Sequence, residues 1–211
     1  MYRKPIVVAV HDPKWFMKVL NILRSRGIDF SVFSDIDSIP YYSVLYTDHY
    51  YYVEITKNRR DIEVIYDSDR TCTGLEKAIL ASLSKTKYNS VIVGIDPGKN
   101  PYYVILGDEE ILEHGYVFQE DIGEFLNNKL KCYPSVKRVI RVGGGFNGLK
   151  IVLMIKNRVN APVEIVDESI EGIPLDYLFR DKNTRRINHR FRNRDIYSAL
   201  KIALCEGIEV E

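Results

Sequence analysis

The chain opens on a continuous apolar run, Ile6-Val7-Val8-Ala9-Val10, which is the pattern of a strand buried on both faces. Asp12-Pro13 then reads as a helix N-cap followed by proline at the first helical position. Trp15, Val19, Leu20 and Leu23 keep helical spacing, and Gly27 stands where a C-terminal stop belongs. Residues 28–33 predict a second strand, and strand, helix, strand in that order predicts a right-handed βαβ unit. Residues 44–46 and 62–66 predict two further strands, and 75–83 a helix. Tyr41, Tyr42, Tyr46, Tyr50, Tyr51 and Tyr52 crowd one stretch. The alternation across residues 50–55 reads as a half-buried strand, although exposed tyrosines there would suit base stacking or a partner surface.

Residues 84–90 (Ser-Lys-Thr-Lys-Tyr-Asn-Ser) are polar and mark a domain boundary. The pattern then restarts. Residues 91–96, 102–106 and 112–118 predict three strands in an antiparallel meander, with Asp108-Glu109-Glu110 between the last two. Residues 121–131 predict an amphipathic helix, 138–142 a strand, 149–159 a helix, 163–166 a strand and 195–205 a final helix. The order βββαβαβα predicts a mixed sheet with helices packed on it. The whole reads as an α/β protein of two domains, residues 1–86 and 90–211.

Composition limits what such a protein can be. Of 211 residues, 45% are hydrophobic and 28% charged, which excludes wholesale disorder. Thirty basic residues oppose 29 acidic ones, so any surface for a polyanion must come from local patterning. Cys72, Cys132 and Cys205 form no Cys-x-x-Cys pair, which predicts reduced thiols and a cytoplasmic protein. The longest apolar runs are too short to span a bilayer, and the first residues lack a long apolar core before a cleavage site, so neither membrane nor leader is expected.

The sharpest chemistry lies in Gly94-Ile95-Asp96-Pro97-Gly98, which leaves a carboxylate at the end of a central strand where a metal or phosphate can approach. This motif resembles the opening motif of the ribonuclease-H-like nucleases, in particular RuvC-type Holliday-junction resolvases and their YqgF-like relatives. Residues 195–203, Asp-Ile-Tyr-Ser-Ala-Leu-Lys-Ile-Ala, resemble their closing helix, and the resemblance covers about residues 90–206. It implies a ribonuclease-H-like mixed sheet for that part, while the strand–helix pattern of residues 1–86 reads as a small flavodoxin-like βαβ domain before it. The resemblance further implies a carboxylate cluster holding Mg2+ or Mn2+, cleavage of phosphodiesters in branched DNA or structured RNA, and a homodimer. Asp96 falls on the first-strand ligand and Asp195 on the first acid of the closing helix, both metal-binding and catalytic. Ser198 stands where the resolvases have a second acid. The glutamate expected on the strand at 138–142 is missing, and Asp167-Glu168 resembles a YqgF-like substitute. Glu168 is therefore expected to complete the catalytic and metal site, with Asp167 as its stand-in. Either acid could equally cap the following segment, and Asp195 could be only a helix N-cap.

Residues 182–194 hold six Lys or Arg and no acid: Lys182, Arg185, Arg186, Arg190, Arg192 and Arg194. Such a run next to Asp195 reads as a nucleic-acid grip, since these cations neutralise phosphates and release counterions. His189 within it is a candidate general acid or base, although a lone histidine is more often a hydrogen-bonded structural residue. Gly143, Gly144 and Gly145 sit between a strand and a helix, where free N–H groups could cradle phosphate, or where glycine could simply let the helix pack close. The triplet also resembles the adenosine element of actin-like and sugar-kinase ATPases, an ATP-binding alternative that would need a second such domain. A third reading is an inactive nucleic-acid-binding scaffold, motivated by the missing glutamate and Ser198. Asp12 follows a strand without an evident receiver-like acidic pocket, and residues 1–86 read as a docking or dimerisation module.

Overall fold

The computed structural model describes residues 3–169 and 194–210. The chain forms two compact units, residues 1–88 with 131–134, and 89–130 with 135–211.

The first unit is a four-stranded sheet in the order β2-β1-β3-β4, parallel throughout. Its elements are β1 (Ile6–Ala9), α1 (Pro13–Ser25), β2 (Phe30–Val32), β3 (Val44–Thr47), α2 (Tyr50–Thr56), β4 (Glu63–Tyr66) and α3 (Cys72–Ser82). Successive strand side chains face opposite ways. Ile6, Val8, Val44 and Tyr46 therefore meet Trp15, Val19 and Leu23 of α1 and Leu75, Ala78 and Ile79 of α3. Val7, Ala9 and Leu45 meet Ile39, Ile62 and Tyr52 on the other face. Two covered faces explain why β1 and β3 read as unbroken apolar runs. Asp12 caps α1 by accepting the Trp15 N–H at 2.7 Å, and Gly27 adopts φ +64° past its end.

One polar chain runs through this core. Trp15 Nε1 donates to the Tyr46 hydroxyl at 2.8 Å, and Tyr46 donates to Asp67 Oδ2 at 2.7 Å. The same oxygen accepts the Thr71 N–H at 2.8 Å, at the start of α3. Gly74 is obligatory there, because a Cβ would lie 2.2 Å from the Asp67 carboxyl carbon. A second buried pair joins Arg26 to both oxygens of Glu76, at 2.9 and 2.8 Å, and Tyr88 donates to the same carboxylate.

Two expectations fail in this unit. Residues 50–55 are helix, not strand: the His49 side chain caps α2 by accepting the Tyr51 N–H, and Tyr50 and Tyr51 are exposed. A local cap on a short solvent-facing helix outweighs the β-propensity of tyrosine. The thiols are not all reduced: Cys72 and Cys132 form a disulfide, leaving Cys205 as the free cysteine. A separation of 60 residues hid this pair from spacing arguments, and the thiol argument for a reducing compartment falls with it. Among the described residues, no helix is long and apolar enough to cross a membrane.

The second unit is a mixed six-stranded sheet, β10-β9-β8-β5-β6-β7. Its elements are β5 (Tyr88–Asp96), β6 (Tyr102–Gly107), β7 (Glu110–Tyr116), α4 (Ile122–Cys132), β8 (Ser135–Gly143), α5 (Gly148–Lys156), β9 (Val163–Val166), α6 (Arg194–Leu204) and β10 (Ile208–Glu209). β5, β6 and β7 are antiparallel, β8 and β9 parallel, and β9 and β10 antiparallel. The β6–β7 turn uses Asp108 and Glu109 at φ 48° and 74°, the two left-handed residues of a tight hairpin. That short loop starts β7 two residues earlier than the sequence pattern suggests. Ile196, Ala199, Leu200 and Ala203 of α6 pack on Tyr102, Val104 and Leu106.

Candidate carboxylate site

The spacing Gly94-x-Asp96 now has a physical reason. Residues two apart on a strand share a face. α6 crosses β5 over Gly94, where a Cβ would lie 2.1 Å from the Ala199 carbonyl oxygen and 2.6 Å from the Ala203 Cβ. Only glycine admits so close a helix. The Ser198 hydroxyl of α6 donates to the Arg194 carbonyl at 3.2 Å and lies within hydrogen-bonding reach of the Asp96 carboxylate, and Asp195 lies close enough to perturb it.

Glu168 arrives from the end of β9. Its Oε1 accepts the Gly145 N–H at 3.0 Å, and Lys201 of α6 donates to its carbonyl oxygen at 3.2 Å. A Cβ on Gly143, the last residue of β8, would lie 2.2 Å from Glu168 Oε1. The Glu168 carboxylate thus fills the space that a side chain on Gly143 would take.

Asp96, Glu168 and Asp195 share one field. Burial raises the Asp96 carboxyl above the usual carboxylate range, and the charges of Glu168 and Asp195 raise it further. The Gly98 N–H and the Ser198 hydroxyl act the other way, by hydrogen-bonding the anion. The register also places Asp96 opposite Tyr102, and Tyr102 opposite Tyr116. Tyr116 donates its hydroxyl to Asp195 Oδ2. Sequence reading did not single out Tyr116, and only the registered meander reveals it.

The other sequence candidates fare differently. Asp167 accepts the Ser169 N–H at 2.9 Å and the Ser169 hydroxyl at 2.7 Å, which holds its carboxyl below the usual range. Its carboxylate thus serves a local turn, while that of Glu168 faces the site. The glycines show no free cradle: Gly144 donates to the Val166 carbonyl, Gly145 to Glu168 and Gly148 to the Gly145 carbonyl. A carboxylate occupies the place a phosphate would need, so the ATP reading gains nothing here. Arg194 is exposed at the start of α6. Lys182, Arg185, Arg186, His189, Arg190 and Arg192 lie outside the described residues.

Among the described residues, no group of three or more His, Cys, Asp or Glu is arranged so that it could hold a metal ion. The donor set nevertheless suits Mg2+, a hard cation that keeps several waters and needs only one or two carboxylates beside substrate phosphate. Mutual repulsion and desolvation at Asp96 are the conditions a bound cation relieves.

No family model matches the chain, and no curated protein matches it. Among solved structures, Argonaute of Marinitoga piezophila in complex with 5′ OH guide RNA is 11% identical at a TM-score of 0.27. That match covers 78% of this chain and 39% of the other. Argonaute of A. aeolicus is 10% identical at 0.24, covering 77% and 34%. The chain spans well under half the length of either, and likenesses this slight carry no argument about fold or activity.

Proposed function

We propose that the second unit is a metal-dependent phosphodiesterase acting on nucleic acid, a structure-specific endonuclease on a ribonuclease-H-like sheet. One observation carries this reading. Carboxylates from three separated elements converge, the ends of β5 and β9 and the start of α6, and at Asp96 the charges of Glu168 and Asp195 add to the larger effect of burial in raising its carboxyl. Packing alone gives no reason to gather like charges, whereas a cation site needs them.

Asp96, Glu168 and Asp195 would hold Mg2+ or Mn2+, which supplies an activated water and neutralises the leaving oxygen. Tyr116 orients the Asp195 carboxylate, Ser198 that of Asp96, and the Gly145 N–H that of Glu168. The resemblance to RuvC-type proteins at Gly94–Gly98 and residues 195–203 supports phosphodiester as the substrate bond. The basic run at 182–194 supports a polyanion.

The test is cleavage of labelled four-way junctions, flaps, duplexes and hairpin RNAs in Mg2+ or Mn2+ against EDTA. Metal-dependent products that vanish in Asp96→Asn, with binding retained, are the expected result. Retarded bands without products would favour a second reading, a nucleic-acid-binding scaffold. The observation behind it is that Asp195 and Glu168 already have protein partners and that Ser198 replaces an acid.

A further inference from the structure

The first unit has a cavity that none of this chemistry uses. It measures about 270 Å³ and opens at the carboxyl ends of β1 and β2. Its walls are Val8, Ala9, Val10, Pro13, Phe16, Val32, Phe33 and Tyr52, with His11 at its polar side.

The cavity lies on the β1–β2 side of the carboxyl edge, beside the point between β1 and β3 where the connections diverge. From β1 the chain turns out to β2 on one side, then returns to place β3 on the other side of β1. The connections leaving β1 and β3 therefore diverge at the carboxyl edge, which opens a crevice of the kind where parallel α/β sheets take ligands. Part of that crevice is closed by the protein itself. The buried Asp48 carboxylate accepts the His11 N–H at 2.7 Å and the Asp12 N–H at 3.2 Å. Arg70 pairs with Asp12 at 3.0 Å and with Asp48 at 3.4 Å. The charges at this edge are thus matched internally, and the backbone donors that would bind an anion are taken. What remains open is the apolar, ring-walled space beside them.

Its walls define the guest. The Phe33 and Tyr52 rings meet edge to face with centroids 5.0 Å apart, and His49 stands 6.4 Å from Tyr52 at a steep angle. His11 lies 5.1 Å from His49, and among the described residues nothing hydrogen-bonds the His11 ring. Val32 remains half exposed at this edge, while Phe16, Phe33 and Tyr52 are only partly covered. Aliphatic walls with three aromatic rings and one imidazole donor or acceptor suit a flat, uncharged nitrogen heterocycle. The volume lies just below the roughly 300–1,000 Å³ of sites for drug-sized ligands, which is room for one ring system with its substituents left at the open mouth.

We propose that this cavity binds a purine base, seated among Phe16, Phe33 and Tyr52 with a ring nitrogen or amine on His11. The base could belong to a free nucleoside or nucleotide, or to an unpaired end of a nucleic acid. The site is separate from the carboxylates, and it stands or falls without them.

The test is saturation-transfer NMR and titration calorimetry on the full chain with adenosine, AMP and a single-stranded oligoadenylate. Asp96→Asn serves as the background, so that no probe is cut. Saturation of the purine H2 and H8 protons is expected. Val32→Trp, at an exposed position that would fill the mouth, should abolish it with the melting temperature unchanged. Tyr52→Phe should bind nearly as wild type, and His11→Ala should weaken binding about tenfold. Preference for adenosine or AMP over the oligonucleotide identifies a free nucleotide, and the reverse identifies a strand end. No purine signal at millimolar ligand would overturn the proposal, as would a signal that Val32→Trp leaves intact.

Discussion

Gly143 and Glu168 behave as one unit of design. The strand that ends in Gly143 carries no acid, and the acid from the next strand needs the space a side chain would take. Gly143→Ala would drive a methyl to 2.2 Å from Glu168 Oε1 and 2.8 Å from Ile202 Cδ1. Overpacking of this kind destabilises by about 1–3 kcal/mol. Denaturant unfolding should register that loss, and Gly143→Ala/Glu168→Ala should recover much of it. An additive double mutant would show that the two residues do not share the space. At Asp96 the expected sign is opposite. Its charge is opposed by burial and by Glu168 and Asp195, so Asp96→Asn should raise the melting temperature of the metal-free protein. A fall would mean that the Gly98 N–H and Ser198 contacts to the anion outweigh the repulsion.

Tyr46 makes the comparable case in the first unit. Tyr46→Phe strands the Trp15 N–H and removes a donor from Asp67, at a cost of about 1–3 kcal/mol. Burial and the hydrogen bond to Asp67 raise the Tyr46 phenol. A raised folded pKa gives stability that is complete below the unfolded value, about 10 for tyrosine, and is lost as pH rises through the folded one. The gap between wild type and Tyr46→Phe should therefore narrow above about pH 10 in urea titrations. A constant gap would show that the phenol does not ionise on unfolding.

At the scale of elements, most of the fold was written in periodicity. β1 and β3 announced burial on both faces by unbroken apolar runs, and α1 announced itself by Asp12, Pro13 and the Trp15-to-Leu23 spacing. α2 did not, because what specifies it is a histidine cap and not a hydrophobic stripe. Asp96, Glu168 and Asp195 stand out in the sequence as candidate acids, but their nearness to one another depends on strand order, which spacing does not give. Tyr116 carries no sequence signal at all, because it reaches Asp195 only through two registered strand pairs. The disulfide belongs to the same class, a contact between positions 60 residues apart. Closing a loop of that length removes chain entropy worth about 4 kcal/mol from the unfolded state. Reduction, or Cys72→Ser, should lower stability by about 2–4 kcal/mol on unfolding with and without reductant. An unchanged midpoint would mean that the buried Arg26–Glu76 pair and the α3 core hold this region without the bridge.

At the scale of the whole molecule, the two units should answer to different agents. A ligand that binds only the folded state stabilises it by RT ln(1 + [L]/Kd), about 2.7 kcal/mol at a hundredfold excess over Kd. If Mg2+ or Mn2+ settles among Asp96, Glu168 and Asp195, that energy enters the unit holding β5, β8, β9 and α6. The disulfide acts on the unit holding β1, β3 and α3. Hydrogen exchange resolves the two by peptide. Adding metal should slow exchange in peptides spanning 91–96 and 195–204 while leaving those spanning 6–9 and 44–47 unchanged, and reductant should speed exchange in the latter while leaving the former unchanged. In Asp96→Asn the metal effect should disappear and the reductant effect persist. Protection that survives Asp96→Asn would move the cation elsewhere and remove the support for a nuclease centre. Protection lost with it would place the cation at Asp96 and tie it to the buried, repelled carboxylate at that strand end.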